Sequence, residues 1–317
     1  GIMIVVVSYL MINSGFSLAY GLGFIVFSFV MFLPVTILGT SAEIFSVTDA
    51  AVDRFSEIMN EKEIFNSEKN VALEKMNISF KNVTFAYENK EVLKNINLDF
   101  NDKTFTALVG KSGSGKTTIA NLIARFWDVE KGEITIDGHN IKDISIENLL
   151  DSISMVFQRV YLFNDTIFNN IALGNKKATK DDVIKAAKKA RCHDFIMKLE
   201  NGYDTIIGEG GSTLSGGEKQ RISIARAILK DAKLILLDEA TAGIDPENEK
   251  FILEAIDELV KNKTLIVIAH RLSTIQKADN IVYLEDGEIK EMGTHDELLE
   301  KNGRYKKQFD FYTKMKE

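Results

Sequence analysis

The chain has 317 residues, of which 45% are hydrophobic and 27% are charged, so it is long enough to bury the core of one large domain or two ordinary ones. A net charge of −7 argues against the basic surface that nucleic-acid binding requires. The single cysteine, Cys192, excludes a disulfide framework and a cysteine-based metal site, and it fits a reducing compartment.

The chain begins with two uncharged apolar runs, and no charged residue precedes Glu43. Charge is dense after that point, which indicates that the first part lies in lipid and the rest in water. The second run reaches the length of about 20 residues that a spanning helix needs. We therefore expect the end of one spanning helix at 1–12, a short outside turn at 13–17 and a full span at 18–40.

Two other interpretations of the apolar start are weaker. A cleaved signal peptide has a basic start and a shorter apolar stretch, and a buried helix of a soluble protein would show a polar face. Pro34 predicts a kink that neighbouring spanning helices can accommodate. Arg54 and Lys62 follow the span and indicate that this end is cytoplasmic. The start at Gly1 rather than Met suggests that the chain begins inside a longer protein.

Residues 42–63 change character and predict an amphipathic helix that continues the span into the cytoplasm. Its apolar positions recur at helical spacing: Phe45, Val52, Phe55 and Met59. We therefore divide the chain into the end of a transmembrane domain at 1–60, a charged linker at 61–76 and a soluble domain at 77–317.

In the soluble domain, apolar strand patterns alternate with helical ones, which predicts an α/β fold. The apolar run 105–109 is followed by G-x-x-x-x-G-K-T and then by a predicted helix at 118–126. This is the context of a phosphate-binding loop, in which backbone amides and a helix N-terminus face the anion. We expect Lys116 to supply charge for the outer phosphates and Thr117 to offer its hydroxyl to Mg²⁺. A plain glycine-rich loop is the alternative. The candidate nucleotide-binding residues of this segment are Gly110, Lys111, Ser112, Gly113, Ser114, Gly115, Lys116, Thr117 and Thr118.

A second element reads LILLDE at 234–239. Four consecutive apolar residues fit a strand that is buried on both faces of a parallel sheet. Asp238 and Glu239 stand at the carboxyl end of this strand, where such sheets bind ligands. We expect Asp238 to hold Mg²⁺ and Glu239 to polarise the attacking water, because phosphoryl transfer needs both groups. A solvated strand end is the alternative.

The segment LSGGEKQR, residues 214–221, opens a predicted helix at 217–230 and resembles the signature motif of the ATP-binding-cassette (ABC) family. The resemblance implies a P-loop NTPase with a mostly parallel core sheet, an antiparallel β subdomain and a helical subdomain, preceded by α-helical transmembrane segments. It also implies that Ser215 and Gly217 touch the γ-phosphate of ATP held by a second subunit. The intact Glu239 and signature favour a homodimer, and a heterodimer remains open.

Other residues stand where the family places its remaining functional groups. Tyr87 resembles the aromatic side chain that stacks on adenine. Gln158 resembles the glutamine that senses Mg²⁺ and the transmembrane domains. Asp245 resembles the loop that crosses between subunits, and His270 resembles the switch histidine that bonds the γ-phosphate and positions Glu239. A plain strand aromatic and a structural histidine are the alternatives for Tyr87 and His270.

The segment TIIGEGG, residues 205–211, resembles a short motif of exporters, and Glu209 is a candidate for coupling to a cytoplasmic loop of the transmembrane domain. An exposed glycine turn is the alternative. Arg159 departs from the family, since exporters often carry an acidic residue there, and the crossing loop reads AGID at 242–245. The resemblance is close over 77–313 and is one of pattern only over 1–60.

The resemblance implies ATP-driven export across the cell membrane, with ATP and Mg²⁺ as cofactors and a cytoplasmic ATP-binding domain. The expected partners are a second half-transporter subunit and membrane lipid, with no nucleic acid. The alternatives are an importer-like transporter built on the exporter fold, as in siderophore uptake, and a soluble ABC ATPase, against which the apolar residues 1–41 argue. Exporter halves of this kind are multi-pass, with six spans, whereas residues 1–40 predict the end of one span and one full span. We therefore expect this chain to bind ATP and hydrolyse it weakly but not to transport a substrate. Lipids, drugs, peptides and siderophores remain open as substrates.

Overall fold

The computed structural model describes residues 2–15, 17–61, 64–88, 90–211, 213–238, 246–269 and 272–314. The chain forms two compact units, Gly1–Glu63 and Ile64–Glu317. The α-helices are α1 Ile2–Asn13, α2 Leu18–Met59, α3 Lys116–Ile123, α4 Ile146–Asp151, α5 Ile167–Ala172, α6 Lys180–Lys189, α7 His193–Ile196, α8 Gly216–Lys230, α9 Pro246–Leu259, α10 Leu272–Ile275, α11 His295–Glu300 and α12 Arg304–Lys314. The strands are β1 Ile78–Tyr87, β2 Lys90–Phe100, β3 Phe105–Gly110, β4 Lys131–Ile136, β5 His139–Asn140, β6 Ile153–Val156, β7 Asp165–Thr166, β8 Ile206–Ile207, β9 Leu234–Asp238, β10 Thr264–Ile268, β11 Asn280–Glu285 and β12 Glu288–Gly293.

The first unit consists of α1 and α2, which lie close together where Gly21 meets Met11. A Cβ atom on Gly21 would come within 2.4 Å of Met11 Sδ. Within the described residues, α2 is the one helix that is long and apolar enough to cross a membrane. It has 42 residues and contains Pro34. At about 1.5 Å per residue it is about twice as long as the hydrocarbon core is thick. The predicted span and its amphipathic extension therefore form one continuous helix.

The second unit is built on a sheet with the strand order β12-β11-β3-β10-β9-β6. All neighbouring strands in it are parallel except β11 and β12. The four apolar residues 234–237 of β9 and all five residues of β10 are buried, as expected for strands with helices on both faces. These strands confirm the prediction of a mostly parallel core sheet.

A second sheet of this unit has the order β2-β1-β4-β5 and is antiparallel. Burial alternates along much of β2, whose residues Ile96, Leu98 and Phe100 point inward. One face of the sheet therefore packs on the core while the other meets solvent. This sheet matches the expected antiparallel β subdomain.

Helices α5, α6, α7 and α8 pack together and match the expected helical subdomain. The helix predicted at 217–230 turns one face to the core, since Ile222 and Ala225 are buried and Ile228 and Leu229 are partly buried against the same core. Helix α8 ends at Asp231, which takes the left-handed conformation with φ of 55°, a common way to close a helix.

Parallel strands bring their carboxyl ends to one edge of a sheet. Strands β3, β9 and β6 therefore end at the same edge, at Gly110, Asp238 and Val156, with β10 between β3 and β9. The residues that follow these three strands include most of the predicted site, so the topology of the sheet is what gathers them.

Cys192 gives a direct check of this core. Its Sγ donates to the backbone oxygen of Ala187 at 3.3 Å, and burial raises the pKa of the thiol to about 12. Only about one thiol in ten thousand is then ionised at pH 8. We expect an aromatic disulfide reagent to leave the native chain unlabelled and to label one thiol per chain in guanidinium chloride. Rapid labelling of the native chain would contradict the buried position.

Candidate functional site

A cavity lies at the carboxyl edge of the core sheet, beside the start of α3. It brings together the predicted loop residues from Ser112 to Thr118 with Gln158 and Asp238, which come from distant parts of the sequence. Its lining consists of Val92, Ser112, Gly113, Ser114, Gly115, Lys116, Thr117, Thr118, Gln158, Asp238 and Ile268. The convergence of these residues supports one shared binding site rather than separate loops.

The loop at 110–115 folds tightly because two of its glycines take conformations that other residues rarely adopt. Gly110 has a φ of 150° and Gly115 has a φ of 103°. A Cβ atom on Gly110 would lie 2.1 Å from the backbone oxygen of Leu284, and one on Gly115 would lie 2.5 Å from Leu93 Cδ2. Both positions therefore require glycine, and the loop can wrap around an anion with its backbone amides.

Lys116 fixes the shape of this loop from inside. Lys116 is only 5% exposed to solvent. Its Nζ donates to the backbone oxygens of Gly110 and Lys111, both at 2.8 Å, and to Ser114 Oγ at 3.5 Å. The ammonium group is therefore held beside the start of α3, where its charge adds to the positive end of the helix dipole. This arrangement suits a phosphate group.

The side chains suited to a metal ion lie on the same cavity. Thr117, Gln158 and Asp238 line it, and they offer a hydroxyl, an amide and a carboxylate, all of which present the hard oxygen ligands that Mg²⁺ takes. In the part of the chain that the structure describes, no cluster of three or more His, Cys, Asp or Glu residues could hold a metal. The three oxygen-bearing side chains of Thr117, Gln158 and Asp238 therefore fit a Mg²⁺ ion that is bound jointly with phosphate oxygens.

Tyr87 lies at the end of β1, outside the lining of this cavity. The hairpin pairs Tyr87 with Lys90 of β2, and Val92 of the same strand lines the cavity. The Tyr87 ring meets Phe85 and Trp127 edge to face, with centroids 4.9 Å and 5.0 Å away. Tyr87, the predicted adenine-stacking residue, therefore lies on the same hairpin as Val92, which lines the cavity.

The signature residues stand elsewhere on the chain, and neither Ser215 nor Gly217 is among the described residues that line the cavity. Ser215 is the N-cap of α8, where its Oγ accepts from Glu218 N at 3.3 Å and donates to Glu218 Oε2 at 2.8 Å. A Cβ atom on Gly217 would lie 2.7 Å from Asn248 Cβ in α9, whereas one on Gly216 would meet nothing within 4 Å. The start of α8 is therefore an exposed, capped helix end.

Three predicted residues, Glu239, Asp245 and His270, lie outside the described residues, and their roles stay predictions. The described chain comes within one residue of each of them, and Pro246, next to Asp245, begins α9. Asp238 ends β9, and Ala269 N donates to the backbone oxygen of Leu108 at 3.1 Å, beside the phosphate loop.

Three residues of the site were not predicted from the sequence: Val92 and Ile268, which line the cavity, and Trp127, which contacts Tyr87. The end of an apolar run could have indicated Ile268. Val92 and Trp127 left no such signal, because their positions depend on how the antiparallel sheet meets the core sheet. Lys94 N donates to the backbone oxygen of Gly287 at 2.8 Å and joins the two sheets near this point.

A second cavity lies between the segment after β6 and helix α8. Its lining carries the cationic side chains Arg159, Arg226 and Lys230 and exposed aromatic rings such as Tyr161, and no acidic side chain. Burial lowers the pKa of both Arg226 and Lys230. The full lining is Ser154, Met155, Phe157, Arg159, Val160, Tyr161, Phe163, Leu173, Gly174, Ser223, Arg226, Ala227 and Lys230.

The family model described as ABC transporter matches residues 93–242. An ATP-dependent lipid A-core flippase of Pasteurella multocida (strain Pm70) is 53% identical over 232 residues, which are 72% of this chain and 40% of that protein. A protein of the same name from Escherichia coli (strain K12) is 52% identical over 231 residues, again 72% of this chain and 40% of that protein.

A solved structure extends the similarity to almost the whole chain. It is a bacterial Atm1-family ABC exporter with ATP bound, with a TM-score of 0.77 and 36% sequence identity, and the match covers 93% of this chain and 52% of that one. The chain thus spans about 40% of the length of the curated relatives it matches.

Replacing Lys116 tests the assignment of the loop. We expect Lys116→Ala to weaken ATP binding by about a hundredfold or more, because a charge-assisted contact and the internal support of the loop are both lost. Isothermal titration at fixed ionic strength measures this. Lys111→Ala is the matched control, because Lys111 lies in the same loop with its side chain exposed and 3.6 Å from Glu285. Equal losses in the two variants would mean that general positive charge, and not the position of Lys116, matters.

Proposed function

The chain belongs to the ABC transporter family, and we propose that it binds and hydrolyses ATP as part of an exporter, in which ATP closes two ATP-binding domains on each other and hydrolysis reopens them. The observation that carries this proposal is the single cavity formed by the phosphate loop, Gln158 and Asp238. Residues that follow three different strands meet there in the arrangement that nucleotide hydrolysis needs.

Residues of this cavity and residues next to it along the chain take distinct roles in the proposed function. The loop amides and Lys116 bind the phosphates, and the Tyr87 ring stacks on the base. Thr117, Asp238 and Gln158 would hold Mg²⁺, which spreads the charge that develops on the phosphoryl oxygens. Glu239 orients the attacking water, and His270 contacts the γ-phosphate and positions Glu239. Positioning and electrostatic stabilisation account for the rate, because the transferred phosphoryl group needs little covalent help.

A second subunit completes each site. The start of α8, with Ser215 and Gly217, offers backbone amides and a hydroxyl to an anion, but it does not line the described cavity of its own chain. We propose that it closes on the ATP of a partner subunit, as the family resemblance implies, with Asp245 crossing between the two. A homodimer meets this need for a partner, because each subunit offers the same start of α8 to the ATP of the other.

We propose that the long helix α2 is the membrane-spanning part of the chain. The apolar first half of α2 spans the cell membrane in contact with lipid, and its charged second half extends into the cytoplasm, where the ATP-binding domain works. The relatives at 53% and 52% identity are named for the movement of lipid A-core. For this chain we propose ATP-driven export and no particular substrate, because the side chains of spanning helices select the substrate.

Coupling to the transmembrane domain takes place at the second cavity. Phe157 and Arg159, the two neighbours of Gln158 along the chain, line this cavity. A cytoplasmic loop seated there would therefore respond to changes at the nucleotide. Glu209 lies on the neighbouring segment, since Gly210 N donates to the backbone oxygen of Leu162 at 3.1 Å. A loop with acidic and apolar side chains would complement Arg159 and Tyr161.

Glu239→Gln tests the proposed function. The substitution keeps the shape of the side chain and removes its charge, so ATP binding should persist while turnover falls on the order of a hundredfold or more. We expect Mg-ATP to convert the purified variant from monomer to dimer in light scattering after size exclusion. The control is Glu239→Gln combined with Lys116→Ala, which should stay monomeric. Near-normal turnover, or a dimer that forms equally without ATP, would contradict the proposal.

A further inference from the structure

Asn170 of α5 is a completely buried polar side chain. Its Oδ1 accepts from Phe163 N at 2.9 Å, and its Nδ2 donates to the backbone oxygens of Phe163 and Thr166, each at 3.0 Å. One N–H and two carbonyls surround the amide, so only one orientation of its oxygen and nitrogen satisfies them. The side chain thus holds the segment 163–166 at three points.

Arg226 of α8 joins this network from the other side. Its Nε donates to the backbone oxygen of Asn170 at 2.9 Å, and its Nη2 donates to Asn170 Oδ1 at 3.3 Å. Both donors of the Asn170 amide and both acceptor positions of its oxygen are therefore used. Because an unsatisfied buried polar group is costly, Asn170, Arg226 and the segment 163–166 will tend to move together.

The segment held by Asn170 is paired with a second one. Residues 165–166 form β7 and pair with residues 206–207 of β8. Ile167 N donates to the backbone oxygen of Thr205 at 3.0 Å, and Gly210 N donates to that of Leu162 at 3.1 Å. We call residues 162–167 and 205–210 together the strap.

The strap connects two functional parts of the molecule. One of its segments follows Gln158, which lines the nucleotide cavity, after a few residues. The other ends a few residues before Ser215, the N-cap of α8. Asn170 is bonded to the first segment and, through Arg226, to α8 itself. A displacement of Gln158 can therefore reach Ser215 both along the strap and through the Asn170–Arg226 contact.

We propose that Asn170 is a positioning residue, which together with Arg226 ties the segment after Gln158 to α8 and so sets where Ser215 meets the nucleotide of the partner subunit. This inference rests on the proposed function, and it adds the physical link between the nucleotide that one subunit binds and the surface that it offers to the other. Asn170 touches neither nucleotide and acts only through the strap.

Three variants of the full 317-residue chain in detergent test this. Asn170→Ala removes the side-chain bonds to the strap, and Arg226→Lys keeps a positive charge but loses the two-point contact. Asn148→Ala is the matched control, because Asn148 Nδ2 donates to the backbone oxygen of Val71 at 2.7 Å and has no bond to the strap.

We expect Asn170→Ala to speed amide hydrogen exchange in residues 160–168 and 204–211 and to leave residues 110–118 unchanged. Its kcat for ATP should fall about tenfold while the Kd for ATP stays within about twofold, as for a lost coupling contact rather than a lost binding contact. In a Ser215→Ala background, Asn170→Ala should cause no further fall in kcat, because both changes act through the same group. Asn148→Ala should match the wild type in exchange of the strap and in kcat.

Several results would overturn the inference. These are an unchanged kcat in Asn170→Ala, an unchanged exchange of the strap, or losses that add fully in the Ser215→Ala background. If Asn170→Ala does not fold, Arg226→Lys decides, since the three bonds of Asn170 to the strap remain; its kcat should fall about threefold, and wild-type kcat would refute the inference. Absence of ATP turnover in the wild-type chain would instead count against the proposed function.

Discussion

The contact between Lys116 Nζ and the backbone oxygens of Gly110 and Lys111 is the interaction on which the site depends. It closes the loop that follows β3 and places a cation at the start of α3. The parallel sheet then supplies the rest, because β9 ends at Asp238 and β6 ends just before Gln158. The phosphate loop, Gln158 and Asp238 meet at one edge of the sheet because these strands run in the same direction.

A second constraint comes from α8. The start of this helix is exposed and capped by its own Glu218, and it stands apart from the described lining of the cavity. Gly217 packs so closely on Asn248 that the starts of α8 and α9 are held together. In the proposed function, the exposed start of α8 closes on the ATP of a partner subunit, and hydrolysis separates the two again.

Much of the fold and site could be predicted because the relevant signals are local. The apolar runs at 105–109 and 234–237 indicated buried strands, and the glycine spacing of the loop and the signature identified the family. Asn170 and Trp127 could not be predicted in this way. Their roles arise from tertiary contacts: the carbonyl groups that surround the buried amide of Asn170, and the contact of the Trp127 ring, after α3, with the Tyr87 ring of β1. Neither leaves a periodic pattern in the sequence.

The extent of α2 was also only partly predictable. A span at 18–40 and an amphipathic helix at 42–63 were expected as successive elements, and the structure joins them from Leu18 to Met59. The change from apolar to charged composition predicts a change of solvent along the helix, and this stays a prediction. Nothing in that change of composition breaks the helical hydrogen bonds, so the helix continues through it.

Mixing two inactive variants tests most directly whether each site is shared between subunits. Lys116→Ala disables the phosphate loop, and Gly216→Val adds a side chain that meets nothing within 4 Å in its own chain but would obstruct a partner's phosphate. If sites are shared, equimolar mixing should restore about a quarter of wild-type ATPase, because half the dimers are mixed and each mixed dimer has one intact site. Activity of the mixture no higher than that of the two variants measured separately would contradict the account.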